Sequence, residues 1–92
     1  MIKFEWDVKK NILNQQKHDI RFEEAIQIFD GEFETIFNDY VGGEERWLSI
    51  GWTNRGVLLF VIHTIQENGT EIFRLISARK PDRTERNNHG YR

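Results

Sequence analysis

Apolar positions along the chain follow a helical period first and a strand period afterwards. Phe22, Ala25, Ile26 and Phe29 recur at i, i+3, i+4 and i+7, one apolar face of a helix. The segment before it, Val8 to His18, consists mostly of good helix formers with a narrow apolar stripe of Val8, Ile12 and Leu13. Asp7 suits the N-cap of that first helix, because its carboxylate can accept from the unpaired N–H groups of the first turn. Lys17 and His18 fall in its last turn, where the negative end of the helix dipole favours cations. Gly31 suits a left-handed residue closing the second helix. Only Asp19, Ile20 and Arg21 separate the two helices, so they must be neighbours in space.

After Gly31 the period becomes two. "EFETIFNDY" alternates, the glycines at 42 and 43 mark a turn, and "RWLSIGWT" alternates again. "NRG" at 54–56 is a short hairpin connection to "VLLFVIHTI", a continuously apolar run that reads as a central strand buried on both faces. "ENGT" turns the chain into a last strand, "EIFRLISAR", which Pro81 ends. "IKFEW" at the start has the alternation of a short strand, and "DRTERNNHGY" can either form a short terminal helix or stay loose. Helices followed by hairpin-linked strands make the α+β class. The expected architecture is two N-terminal helices on one face of an antiparallel sheet of about four strands, in a single domain spanning 1–92.

Composition narrows the chemistry. The chain has 92 residues and no cysteine, so no disulfide or thiolate metal site can staple it. Three tryptophans and seven phenylalanines supply the large side chains that a small core needs. No stretch approaches the roughly 20 apolar residues that cross a bilayer, and "MIKFEWDVKK" has no apolar signal-peptide core. A protein of the cytoplasm, away from membranes, is therefore expected. The net charge of −2 conceals an asymmetry: residues 1–73 carry 7 basic and 13 acidic groups, a balance of −6, and residues 74–92 carry 6 basic and 2 acidic groups, a balance of +4. Such a basic end can hold an anion locally, or simply be a solvated tail.

Three clusters can carry chemistry. Lys17 with His18 offers a proton carrier beside a cation, though both also serve as plain dipole-complementing residues. Arg74 and Arg79 offer bidentate phosphate contacts, or ordinary salt bridges at a strand end. Glu44, Glu45 and Arg46 flank the double glycine, where a charged turn is the simpler reading. Arg74 and Arg79 are five residues apart, so on an unbroken strand they face opposite ways. Both reach one site only if a bulge intervenes, near Ser77 or Ala78, or if the strand ends early. P-loop, dinucleotide, HExxH and Cys/His zinc patterns are absent, and His18, His63 and His89 are too scattered to suggest a metal. His63, inside the apolar strand, reads as a hydrogen-bonded core histidine. No cofactor is expected, which leaves side-chain acid–base work with cationic stabilisation. That set suits cleavage of an RNA phosphodiester through its own 2′-OH without singling it out.

"FEWDVKKNILNQQKHDIRFEEA" resembles the opening of the BrnT toxin family, with Phe4 to Asp7, Lys10, Asn14, Lys17, His18 and Phe22 to Ala25 at the family's spacings. "EERWLSIGWTNRGVLLFVIHT" and "FRLISARKPDRTER" also look like that family's later segments, so the match covers nearly the whole chain. The resemblance implies a RelE-like ribonuclease toxin of a type II toxin–antitoxin module that inhibits translation and growth. It also implies a ribbon-helix-helix antitoxin of the BrnA kind, with operator DNA bound only through that antitoxin. By position the site would be Lys17, His18, Arg74 and Arg79, with His18 as acid or base and the others holding phosphate; Glu45, Arg46 and Glu85 would support it. Two residues depart from the family pattern. Asp19 stands where glycine is usual, and tolerates a left-handed turn better than most residues. Arg21 stands where a Ser or Thr cap is usual, leaving Asp19 as the candidate cap. Asp19 also brings a carboxylate next to His18, which would raise the imidazole pKa or weaken phosphate binding. The alternative function is a non-catalytic module that docks nucleic acid or protein through its basic C-terminal segment.

Overall fold

A computed structural model describes residues 1–91. Its elements are β1 (Ile2–Glu5), α1 (Val8–His18), α2 (Phe22–Ala25), a 3₁₀ turn (Ile26–Asp30), β2 (Phe33–Val41), β3 (Glu44–Trp52), β4 (Leu58–Glu67), β5 (Glu71–Arg79) and α3 (Arg83–Asn88). The class is α+β as expected, but the sheet has five strands in the order β1-β5-β4-β3-β2 and is mixed. β1 adds to the edge of β5 in parallel, and the other pairings are antiparallel hairpins. A strand after a long crossover can run parallel, which hairpin logic alone does not anticipate.

The helix face of the sheet holds the main core. Phe22, Ala25 and Ile28 pack on Leu59, Val61, Leu75 and Ala78. Ile26 and Phe29 of the expected 22-25-26-29 face pack against this cluster half-buried, and Ile28 joins it fully buried because the second helix tightens after Ala25 into a 3₁₀ turn, where residues i and i+3 eclipse. The turn lies so close to β3 that a Cβ added at Gly51 would meet Ile28 Cβ at 3.0 Å and Phe33 Cβ at 3.2 Å. Gly31 is extended (φ −116°, ψ −152°) and not left-handed, because a 3₁₀ turn running into β2 needs no αL residue. The opposite, open face carries a smaller cluster of Leu48, Ile50, Leu58 and Phe60, against which Ile62 and Tyr91 pack.

α1 overturns the expected apolar stripe. Val8, Ile12 and Leu13 are 68, 52 and 61% exposed, and the only buried residue of the helix is Asn14. Asn11, Asn14 and His18, at i, i+3 and i+7, are the residues turned toward the body. Asp7 caps the helix as expected, accepting from Lys9 N–H at 2.7 Å. At the other end Asp19 adopts the left-handed conformation (φ 59°), and its N–H donates to Gln15 O. Asp19 does not cap α2. Asn11 does so from the neighbouring helix: its Oδ1 accepts from Phe22 N–H at 2.8 Å and its Nδ2 donates to Glu23 at 2.7 Å.

Candidate active site

β5 builds the site through two irregularities. β4 and β5 pair Ile62 with Ser77 but His63 with Leu75, so Ile76 is an extra residue in β5. This bulge restores parity. Arg74 lies opposite Thr64 and Arg79 opposite Phe60, four positions apart on β4, so both arginines share the open face. The condition set by their five-residue spacing is met one residue before the expected break.

The second irregularity is an uncovered edge. β1 pairs only with Glu71–Arg74 of β5. Beyond it, the Asn14 amide takes the place of a strand residue. Its Oδ1 accepts from Ala78 N–H at 3.0 Å, and its Nδ2 donates to Ala78 O and Ile20 O, each at 2.8 Å. One buried side chain thus ties α1, the inter-helix turn and β5 together, and sets the last turn of α1 beside the bulge.

Lys17 and His18 there line a groove of about 240 Å³ with Leu13, Ile76 and Ser77. Burial pushes the His18 pKa down, and the positive charges of Lys17 and Arg79 push it further the same way. The rise expected from Asp19 is therefore not found. His18 is biased toward the neutral imidazole, the form that accepts a proton.

Arg79 is held from two sides. Its terminal nitrogens donate to the two oxygens of Glu85 at 2.7 and 2.6 Å, and its guanidinium lies 5.7 Å over the Phe60 ring. Glu85 is itself fixed by a capping box with Asp82 at the start of α3. The Arg79 hydrogen bonds, with a further one from Asp82 N–H, hold the Glu85 pKa at about 2. Arg74 belongs to a second group. It donates to Glu44 at 2.6 Å, and Arg46 reaches the same carboxylate at 3.8 Å. Four ladder positions put that group roughly 13 Å along the strand from Arg79.

The structure therefore divides the seven expected residues. Lys17 and His18 share a groove, and Arg79, paired with Glu85, is near enough for its charge to act on His18. Arg74 and Arg46 gather around Glu44, and Glu45, one step out of phase with both neighbours on β3, faces the other side of the sheet. Asn14, Asn11 and Phe60 were missed as parts of this arrangement. The polar i, i+3, i+7 row of α1 was the available signal for the two asparagines.

His63 is the core histidine expected. It is fully buried and stacked on Phe73 at 4.3 Å; Nδ1 bonds to Thr64 O at 3.0 Å and Nε2 to Ser49 Oγ at 2.6 Å. With Nδ1–H donating to the carbonyl, Nε2 accepts from the serine. Burial lowers its pKa to about 4. Among the described residues no three His, Cys, Asp or Glu side chains are grouped to hold a metal, and no helix is long and apolar enough to cross a membrane.

A proton-accepting histidine, a lysine and a carboxylate-anchored arginine at one sheet edge suit phosphodiester chemistry, and the comparisons with known proteins point the same way. The crystal structure of the Brucella abortus ribonuclease toxin BrnT matches with a TM-score of 0.62 at 22% identity, covering 90% of this chain and 100% of that one, a likeness of fold. No curated protein matches the chain. The family model described as the ribonuclease toxin BrnT of type II toxin–antitoxin systems matches residues 6–85, and by that match this chain belongs to the BrnT ribonuclease toxin family.

Proposed function

We propose that this chain is a RelE-like endoribonuclease toxin, a single domain that cuts RNA in the cytoplasm without a metal and so stops translation and growth. The observation that carries this reading is the groove beside the Ile76 bulge that Lys17 and His18 share, near enough to Arg79 for its charge to act on His18. Neutral His18 takes the proton of the 2′-OH. The 2′-oxygen attacks the adjacent phosphorus, the bond from phosphorus to the 5′-oxygen breaks, and a 2′,3′-cyclic phosphate forms. Lys17 gives the leaving oxygen its proton, and solvent returns the His18 proton to Lys17. Arg79, oriented by Glu85, faces the phosphate charge as it builds in the transition state. Arg74 and Arg46 meet phosphates further along the strand, and Glu45 has no role because it faces away. The antitoxin, a BrnA-like ribbon-helix-helix protein that carries the complex to operator DNA, finds an apolar surface beside the groove in the exposed Val8, Ile12 and Leu13.

Induced expression without the antitoxin should arrest growth, and purified protein should cut RNA with EDTA present. His18→Ala should lower cleavage by roughly 10²- to 10⁴-fold, and Arg79→Ala should relieve the arrest, with folding and antitoxin binding kept in both. Variants as toxic as the parent would remove these residues from the site.

One observation favours a second reading. Glu85 already occupies both terminal nitrogens of Arg79, so that cation meets a phosphate only beside a carboxylate. A non-catalytic module would bind RNA through the basic C-terminal segment with salt-sensitive affinity and leave it intact over hours.

A further inference from the structure

The open face carries a second feature that the cleavage site does not use. Trp52, the last residue of β3, is on the same face as Arg79, since Ile50, two residues before it, pairs with Phe60, which pairs with Arg79. It is 44% exposed although the Arg86 guanidinium already lies 5.8 Å over its ring and Tyr91 packs at 6.4 Å. Indole area therefore remains for another planar group. Two adjoining grooves of about 560 and 280 Å³ meet here and share Pro81 and Arg86; Arg83 and Tyr91 line one, Trp52 and Lys80 the other.

Charge separates this place from the rest of the face. Arg74 and Arg79 each have a glutamate partner, whereas none of the ion pairs among the described residues involves Lys80, Arg83 or Arg86. Lys80, Arg83 and Arg86 thus lie on one side of an exposed aromatic ring, with Glu32 and Glu34 in a separate groove on its other side, where Tyr91 O–H donates to Glu34 at 3.1 Å. Cations along a groove with a free aromatic face are what a single nucleic-acid strand requires, because each phosphate needs a cation and each base a stacking surface. An acidic protein segment would use the cations and leave the ring without purpose. Lys80 and Pro81 join Arg79 directly to the groove, so a strand whose phosphate lies at Arg79 continues into it.

We propose that Trp52, Lys80, Arg83 and Arg86 form a nucleotide subsite for single-stranded RNA, with an unpaired base stacked on Trp52 and flanking phosphates held by the three cations. The proposal rests on the ribonuclease reading for the nature of the strand, so its test separates the two. The probe is a single-stranded 2′-O-methyl oligonucleotide, which has no 2′-OH and cannot be cut. It is titrated against the parent, Trp52→Ala, Trp52→Phe and a Lys80→Ser/Arg83→Ser double variant, by anisotropy at several salt concentrations. Trp52→Ala should bind about 10-fold more weakly with an unchanged salt slope, and Trp52→Phe should keep most of the affinity. The double variant should bind more weakly and lose roughly 0.7 in log–log salt slope for each phosphate contact removed. Tryptophan emission of the parent should fall on binding, and fall less in Trp52→Phe. The proposal is overturned if the parent does not bind the probe, or if Trp52→Ala binds it as the parent does, including the case where that variant loses only the antitoxin. Cleavage of the unmodified strand is measured alongside. A parent that binds through Trp52 but does not cut keeps the subsite and sinks the ribonuclease reading. A parent that cuts while Trp52→Ala binds normally does the reverse.

Discussion

Helix α1 turns Asn11, Asn14 and His18 toward the body and leaves Val8, Ile12 and Leu13 in solvent, while the adjoining α2–3₁₀ segment buries Phe22, Ala25 and Ile28. Both are short, adjacent in sequence and bound to the same sheet, yet one is held by directional hydrogen bonds and the other by apolar area. Apolar packing tolerates small slides, because its energy follows buried area. An amide that satisfies both polar groups of Ala78 and the carbonyl of Ile20 does not. The helix that carries Lys17 and His18 is thus the one whose register against β5 is specified most tightly. The lesson is that a helix can be placed by polar contacts while its apolar residues stay in solvent.

The comparison can be broken first at its two anchors. Ile28→Ala removes a fully buried side chain from the apolar anchor, at a cost of roughly 2–5 kcal/mol in urea unfolding. Asn14→Ala leaves three backbone groups unpaired and should cost about 3 kcal/mol. It should also expose the amides of α1 to hydrogen exchange before the rest of the protein, which Ile28→Ala should not. Uniform exchange in both variants would mean that the two anchors are equivalent.

Acid should act on the apolar side. His63 lies under the 3₁₀ turn, 5.7 Å edge-on to Phe29. Its pKa is about 4 in the fold against 6.5 unfolded. Between those values the unfolded chain binds the extra proton, so stability falls as pH drops from about 6.5 to about 4, by roughly 3 kcal/mol in all. Urea midpoints at pH 7, 5 and 4 test this; the same profile in His63→Phe would assign the acid sensitivity to another group, and a flat profile in the parent would overturn the lowered His63 pKa.

Smaller effects sharpen the contrast. Asn11→Ala removes the cap that α2 takes from α1 and should cost about 1 kcal/mol, and Asn11→Asp should not rescue it fully, because its carboxylate would face Glu23. Ile12→Ser and Leu13→Ser should change stability by less than about 0.5 kcal/mol. A larger loss from either would mean that the apolar stripe of α1 packs after all.

Much of the fold is legible in the sequence. The limits of α1, its Asp7 cap, the hairpin turns, the central position of β4 and the short α3 all follow from local period and turn chemistry, which depend on neighbours within a few residues. Legibility falls where a contact spans the chain. The second helix reads as regular until Ile28 meets Gly51, and β1 is readable as a strand but not as a parallel partner of β5.

The sequence by itself determined the α+β class, the strand rhythm, the charge asymmetry and the residue types available for phosphate chemistry, since composition and period are properties of the chain. The family motif also named Lys17, His18, Arg74 and Arg79 together. Only the tertiary structure decided which of them meet. The Ile76 bulge sets both arginines on one face, yet distance along β5 keeps Arg74 with Glu44 and Arg46, and the Asn14 amide, 64 residues from Ala78, lays the end of α1 beside the bulge. Side-chain parity and long-range hydrogen bonds are relations between segments, and no single segment encodes them.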